Sequence, residues 1–323
     1  MPPNTPSELD HEISRLLQGA VDLHCHSGPA AMPRILDHHE AMLDAAAAGF
    51  RALVYKDHFY LGSAHARILE KLFPETNLRL FSGLVLNNAS GGFNPHAVDH
   101  CIKMGGKIVW LPTLSAANHL AAVASGAAAT FPSTAKKMIP ADPLSALDSN
   151  GRIIDPLKRI LDLIAADDVI LAGGHLTAAE LIAVFEEARR RGVKKLLVNH
   201  PTYIVRCSDD DIRALVALGA YIEHSICMFV EGRSKKCSSA DLDRLIKLAG
   251  VDRTILSSDL GLVGSPRPIE GFRAIVQQLL ELKYAEADIR AMTGNHAARL
   301  LDLEPITVEV GAAGRAAVNV GGR

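Results

Sequence analysis

The chain has 323 residues, of which 48% are hydrophobic and 22% charged, enough to build a large core and to exclude global disorder. Lys plus Arg number 34 against 36 Asp plus Glu, a net charge of −2, and the aromatics are nine Phe, five Tyr and one Trp. That balance argues against a nucleic-acid or anionic-membrane surface and against base-stacking platforms.

Five cysteines, Cys25, Cys101, Cys207, Cys227 and Cys237, are scattered without a CxxC pair, the usage expected of reduced thiols in a cytoplasmic protein. The opening MPPNTPSELDHE has no basic stretch followed by an apolar run, so no secretory signal is expected. No uncharged apolar run reaches the roughly 18 residues of a membrane span. The Ala-rich segment 116–129 is interrupted by Asn118, His119, Ser125 and Gly126.

In chain order, eight short β-rich runs alternate with helical patterns. They are VDLHCH from Val21, ALVYKDH from Ala52, LRLFSGLVLN from Leu78 and KIVWLPT from Lys107, then DVILAGGH from Asp168, KLLVNHP from Lys195, YIEHSI from Tyr221 and TILSSDLG from Thr254. Their starts lie 31, 26, 29, 61, 27, 26 and 33 residues apart. Each ordinary interval holds one strand, one helix and two short loops, and runs this apolar suit a parallel sheet buried on both faces. Length alone allows two domains, but α/β barrels reach this size as one. Eight such units predict a (β/α)8 TIM barrel over residues 1–303, with a long insertion at about 114–166 and a C-terminal tail at 304–323.

Helix signals fall between the runs. Ser208 followed by Asp209, Asp210 and Asp211 opens one helix with a capping hydroxyl and carboxylates at the positive end of its dipole. Leu181, Val184, Phe185 and Ala188 follow helical spacing, and Gly192 and Gly250 stand where helices should stop. PIEGFRAIVQQLLEL is the last barrel helix; EADIRAMTGNHAARLL is one further helical segment with a break at Gly294. From Pro305 the Gly-, Ala- and Val-rich tail reads as a stray strand or a disordered end. The insertion contains a Ser149-Asn150-Gly151 turn, a hairpin signal, and Phe131, Lys136, Lys137 and Met138. A lid over the site and a mere ornament or dimer contact are both open readings for it.

The polar residues gather at the C-terminal ends of the runs, the rim where barrel active sites are built. His24 and His26 end the first, His58 the second, His175 the fifth, His200 the sixth, Glu223 and His224 the seventh and Asp259 the eighth. Side chains alternate along a strand, so His24 and His26 share a face and Cys25 points away. Imidazoles with a carboxylate suit Zn, Mn, Co or Fe rather than Mg or Ca. A single strand-end histidine is an ordinary rim residue; the whole set in register with a barrel is a metal-site pattern. Tyr60, Asn87, Thr113, Tyr203 and His224 are candidate substrate contacts, as is His58. Arg34, in the first loop, is a candidate partner for a substrate carboxylate. His38, His39, His65, His96, His100, His119 and His296 read as non-ligands. No Walker A, GxGxxG or GxSxG motif is present, so nucleotide binding and serine hydrolysis have no support.

With these residues in place the chain resembles the amidohydrolase superfamily. VDLHCH is similar to its first-strand HxH, and GGH, VNHP and SSDLG to its fifth-, sixth- and eighth-strand ligand positions. TGNHAARLL resembles the Asn-Ala-x-Arg-Leu ending of the phosphotriesterase-like and decarboxylase-like branches. The GP after HxH, YKDHFY, and GRIID followed by GGH look like a little-characterised amidohydrolase-related family. The resemblance spans about 21–303. It implies a metal-dependent hydrolase in which His24 and His26 hold the more buried metal with Asp259, and His175 and His200 hold a second metal or join a single-metal site. It also makes Asp259 the general base towards a metal-activated water. One or two divalent ions per chain are expected, zinc foremost.

The chain departs from the family at the fourth strand, where two-metal members carry a carboxylated Lys or a Glu. Here that strand ends WLPT. Lys56 has the parity of His58 and is expected to point inward, as a carboxylated bridge, a substrate-polarising cation or an ordinary lysine. The expected reaction is cleavage of an amide, cyclic amide, lactone or related ester of a small molecule. A mononuclear decarboxylase or hydro-lyase is the alternative, with phosphoester hydrolysis third and a non-catalytic metal-binding barrel as the non-enzyme reading. Barrels of this type pair through outer helices, so a homo-oligomer, dimer or higher, is expected.

Overall fold

The computed structural model describes residues 7–126, 134 and 136–304. Its centre is a parallel sheet of eight strands in sequence order: β1 (Val21–Cys25), β2 (Ala52–Tyr55), β3 (Arg79–Val85), β4 (Ile108–Trp110), β5 (Ile170–Ala172), β6 (Leu196–Asn199), β7 (Tyr221–Ser225) and β8 (Thr254–Ser257). The ring closes where the chain beyond β8 pairs with β1: the Asp259 N–H donates to the His24 carbonyl at 2.7 Å, and Cys25 bridges Leu260 in parallel. The eight-stranded barrel expected from the runs is therefore the fold.

The strands are almost wholly buried because both faces carry apolar side chains. Val21, Leu23, Ala52, Val54, Ile108 and Ile170 belong to the barrel interior; Leu53, Val109, Leu171, Val198, Ile222 and Leu256 belong to the larger core shared with the helices. That outer layer is built by α1 (Glu8–Leu16), α2 (His38–Ala47), α3 (Ser63–Leu72), α4 (Pro95–Lys103), α5 (Ala117–Ala124), α6 (Asp155–Ala166), α7 (Ala178–Arg190), α8 (Asp209–Ala217), α9 (Ser239–Ala249) and α10 (Pro268–Glu281). Several start at reciprocal caps, Ser7 with Asp10, Asp37 with Glu40, Thr177 with Glu180, Ser208 with Asp211 and Ser238 with Asp241.

The N-terminal ends of the strands are plugged by α11 (Glu286–Arg290) and α12 (His296–Leu300), joined by a π-helical turn at Ala291–Asn295. The helical path runs on through Gly294 rather than breaking there. A Cβ at Gly294 would stand 3.1 Å from the Gly19 carbonyl oxygen, so glycine permits close packing against the chain entering β1. Ala297, Ala298, Leu300 and Leu301 complete the interior core from below, leaving the opposite end of the barrel open.

In the long insertion, α5 and α6 flank an irregular stretch. Ala116 bridges Leu144, and Leu147 bridges Ile153 in antiparallel sense around the Asn150-Gly151 turn, a minimal form of the expected hairpin. Lys136, Lys137 and Met138 are exposed. Phe131 and residues 305–323 of the tail lie outside the described residues. Among the described residues no helix is long and apolar enough to cross a membrane.

Candidate metal centre

The two histidines of β1 reach the barrel mouth through a break in the strand. Val21 and Leu23 already point inward, so plain alternation would send His24 outward. Instead the register slips: Asp22 pairs with Leu53, and the next pair is Cys25 with Tyr55, three residues against two. This bulge reverses the parity, turning His24 and His26 into the mouth and Cys25 into the outer core. Asp22 fastens it: its buried Oδ1 accepts the N–H of His24 at 3.0 Å and of Ser258 at 2.9 Å. The opposite carboxylate, Asp259, sits in the left-handed region at φ 47°. Left-handed backbone is unfavourable for a non-glycine residue and concentrates at functional sites. Beyond it, Gly261 has φ +123° and so close an approach to the His26 carbonyl that no Cβ fits.

Three donors converge. Asp259 Oδ1 lies 3.1 Å from both His24 Nε2 and His26 Nε2, and the donor atoms of the three residues all fall within 4.8 Å of one another. The far side of each ring fixes its orientation. His26 Nδ1 is 2.8 Å from the Lys56 carbonyl, which only accepts, so Nδ1 carries the proton and the Nε2 lone pair faces the mouth. His24 Nδ1 is 2.7 Å from Glu223 Oε1, with Glu223 held in turn by the Asn199 amide at 2.8 Å and the Ser225 hydroxyl at 3.1 Å. Outer hydrogen bonds of this kind orient metal-binding imidazoles.

The electrostatics favour a cation at this point. Burial works against a charge on His24, but the Asp259 and Glu223 carboxylates outweigh it and hold the imidazole up at about 9. Burial and the Arg34 guanidinium push His26 down to about 3. Burial raises Asp259, yet His24 and His26 more than offset it and keep the carboxyl well below its ordinary range. The buried Lys56 Nζ lies 2.9 Å from His24 Nε2 and 5.3 Å from the centre of the Trp110 ring, with burial lowering it to about 8. Positive charge thus gathers at the nitrogen that would face a metal. With the Nε2 proton of His24 given up, two imidazole nitrogens, one carboxylate oxygen and a second buried carboxylate behind them are a donor set that fits a borderline divalent ion.

Around this trio opens a pocket of about 730 Å³, counting its mouth. His58, His175, His200, Tyr203, Arg34 and Lys56 all line it with His26 and Asp259. His175 and His200 stand together with ring centres 4.9 Å apart, beside the convergent trio rather than within it. His200 is itself left-handed at φ 29°, and its buried Nδ1 has no hydrogen-bond partner. His58 stacks on His26 at 4.9 Å and is held through Nδ1 by Thr113 Oγ1 at 2.9 Å; Asn87 donates to that hydroxyl and to the His58 carbonyl. Thr113 and Asn87 are therefore buried scaffold under His58.

Neither they nor two further expected substrate contacts, His224 and Tyr60, line the pocket. His224 has the outward parity of Ile222 and packs against Phe229, because Glu223 takes the inward position. The Tyr60 hydroxyl is used by the Pro29 carbonyl at 2.9 Å and His38 Nε2 at 2.8 Å. His119, expected to be a non-ligand, stacks on His175 at 4.8 Å with Nδ1 to Nδ1 at 2.8 Å. The loop after β7 contributes Cys227, Met228, Arg233, Ser234 and Lys236 to the lining. The sequence signal was the GRSKK run in a rim loop. At the end of β4, Trp110 points into the interior with no carboxylate beside it on that strand.

The fold and this rim site define a (β/α)8 barrel with a candidate metal centre at the C-terminal ends of its strands. The chain is similar in structure to an amidohydrolase from Pseudomonas aeruginosa, with a TM-score of 0.61 at 10% identity over 90% of this chain and 97% of that one. It is also similar to the probable dipeptidase PvdM from Pseudomonas aeruginosa (0.64, 10%, 92% and 98%) and to an organophosphorus hydrolase from Deinococcus radiodurans (0.52, 13%, 90% and 93%). At such identities the likeness is one of fold. No curated protein matches the sequence significantly. Residues 19–223 match DUF6282, a family of unknown function, and the chain belongs to that family. The match ends at Glu223, so Asp259 lies beyond it.

Proposed function

We propose that the protein is a metal-dependent hydrolase that cleaves an amide, cyclic amide, lactone or related ester of a small molecule. The observation that carries this reading is the convergence of His24 Nε2, His26 Nε2 and Asp259 Oδ1 at the mouth of the barrel. These residues would hold the ion, zinc in first place; when bound, it would supply Lewis acidity and a water that ionises near neutral pH. His175 and His200 are the residues for a second ion, with Lys56 as the candidate bridge.

The chain's own groups divide the remaining work. Asp259 turns Oδ1 to the two imidazoles, while Oδ2 meets only a weak donor, the Cys227 thiol at 3.7 Å. Oδ2 is the atom that accepts a proton from the attacking water and returns it to the leaving group. Lys56, buried and lowered to about 8, can point its ammonium at a substrate carbonyl and stabilise the developing charge. The unpaired state of all five cysteines accords with a cytoplasmic location. The relatives named as amidohydrolase, dipeptidase and organophosphorus hydrolase support hydrolysis as the reaction class.

A single-metal decarboxylase or hydro-lyase is the second reading, favoured by Trp110 where a bridging carboxylate would stand on β4. The test is turnover of zinc- and manganese-loaded protein on a panel of N-acyl amino acids, dipeptides, lactones and β-keto acids. Hydrolysis that Asp259→Asn abolishes supports the proposal. Carbon dioxide release without hydrolysis supports the second reading.

A further inference from the structure

The side chains lining the pocket are strongly unbalanced in charge. Arg34, Lys56, Arg233 and Lys236 face one carboxylate, Asp259, which is engaged by His24 and His26. Arg34 is the informative member. Its side chain is only 3% exposed, and none of its three guanidinium nitrogens has a hydrogen-bond partner. Asp57 and Asp259 offset its charge, but the nearer oxygen of Asp57, Oδ2, stands 3.8 Å away, beyond hydrogen-bond reach, while Oδ1 accepts the Phe59 N–H at 2.8 Å. An ion pair at that distance offsets charge but leaves the planar fork of N–H donors unused. Burying such donors without partners is unfavourable, and a guanidinium matches the paired oxygens of a carboxylate or phosphate.

The loop after β8 brings Arg233 to the same place. Leu262 bridges Arg34 in antiparallel sense, and the Gly264 carbonyl accepts the Arg233 N–H at 3.0 Å. One short segment therefore ties the β1 loop to the β7 loop, with Leu262 itself in the pocket lining. Lys236 completes that wall, its Nζ 5.2 Å from the centre of the Tyr203 ring.

We infer that the substrate is a small molecule bearing an oxyanion group, carboxylate or phosphate, away from the bond that is cleaved. Arg34 grips that group from the buried side, and Arg233 and Lys236 close over it from the rim. This specifies the substrate class of the hydrolase proposed above and rests on that reading. It excludes neutral lactones and neutral esters as preferred substrates.

The experiment is calorimetric titration of zinc-loaded protein with succinate and, separately, inorganic phosphate at low ionic strength, with metal content measured on the same samples. Wild type should bind at least one of the two, and the tighter one identifies the source of the oxyanion. Arg34→Gln should weaken binding by about tenfold or more, the loss of a charge-assisted pair, with metal content unchanged. Because Arg34→Gln leaves Asp57 buried beside it, the exposed pair Arg233→Gln with Lys236→Gln serves as a second variant, expected to bind several-fold more weakly. Binding by Arg34→Gln and the double variant at wild-type strength, or no binding of either anion to wild type, overturns the inference. Loss of metal from wild type overturns the hydrolase reading instead, and the two failures are read on separate instruments.

Discussion

Glu223 Oε1 lies 2.7 Å from His24 Nδ1, both groups fully buried, so β7, the next strand but one from β1 around the ring, dictates which nitrogen of His24 faces the mouth of the barrel. Glu223→Gln should leave the barrel folded, since Asn199 and Ser225 still surround the side chain, but weaken zinc binding by about 10- to 100-fold. Competition against a chromogenic chelator measures this. Unchanged affinity would mean that His24 does not face the ion.

Asp22 does the corresponding work for the backbone. Asp22→Ala leaves two buried N–H groups, of His24 and Ser258, without their acceptor. Each costs about 1–3 kcal/mol, so urea denaturation should show a loss of roughly 2–6 kcal/mol together with lower metal occupancy. Asp22→Asn keeps an acceptor oxygen and should lose much less. Equal losses in the two variants would show that the bulge is not held by these hydrogen bonds.

Lys56→Met separates the open roles of that lysine. As a cation that polarises substrate, its loss lowers kcat about 10²-fold or more with full metal content. Elemental analysis that finds metal lost, with partial rescue by acetate, assigns Lys56 as a bridge instead.

Buried histidines held neutral contribute to the loss of stability in acid. Burial depresses His224 to about 4, and the unfolded chain titrates near the ordinary value of about 6.5. Between these values the unfolded state binds more protons, so stability is full above about 6.5 and falls as pH drops towards 4. His38 and His119, also lowered to about 4 by burial, add to the same slope. His224→Leu, away from the pocket, should make the thermal midpoint less dependent on pH over this range. An unchanged slope would show that His224 does not contribute.

Much of this was readable from residues alone. Apolar runs at regular spacing announced the strands, and strand-end histidines announced the rim. Other features depend on three-dimensional detail. Alternation placed His24 and His26 on one face, but only the bulge at Asp22 makes that face the interior, because Val21 and Leu23 occupy it lower down. The same parity argument, unbroken in β7, sends His224 outward and Glu223 inward. His119 looked like a helix histidine and is one; its role arises because α5, inside the insertion, lays it against His175. The first helix, outside the eight repeating units, is signalled by Ser7 with Asp10 and by the spacing of Ile13, Leu16 and Leu17. Arg233 and Lys236 are ordinary loop cations until the fold sets them in one pocket lining with Arg34.

The central claim is that His24, His26 and Asp259 hold a catalytic metal. Its most direct measurement is metal per chain, by elemental mass spectrometry, for wild type and for the variant carrying His24→Ala and His26→Ala, each loaded with zinc and desalted. The account predicts at least one ion per wild-type chain and none in the variant, with the far-ultraviolet dichroism of the barrel unchanged. Equal metal in the two proteins, or none in wild type after loading with zinc or manganese, would contradict it.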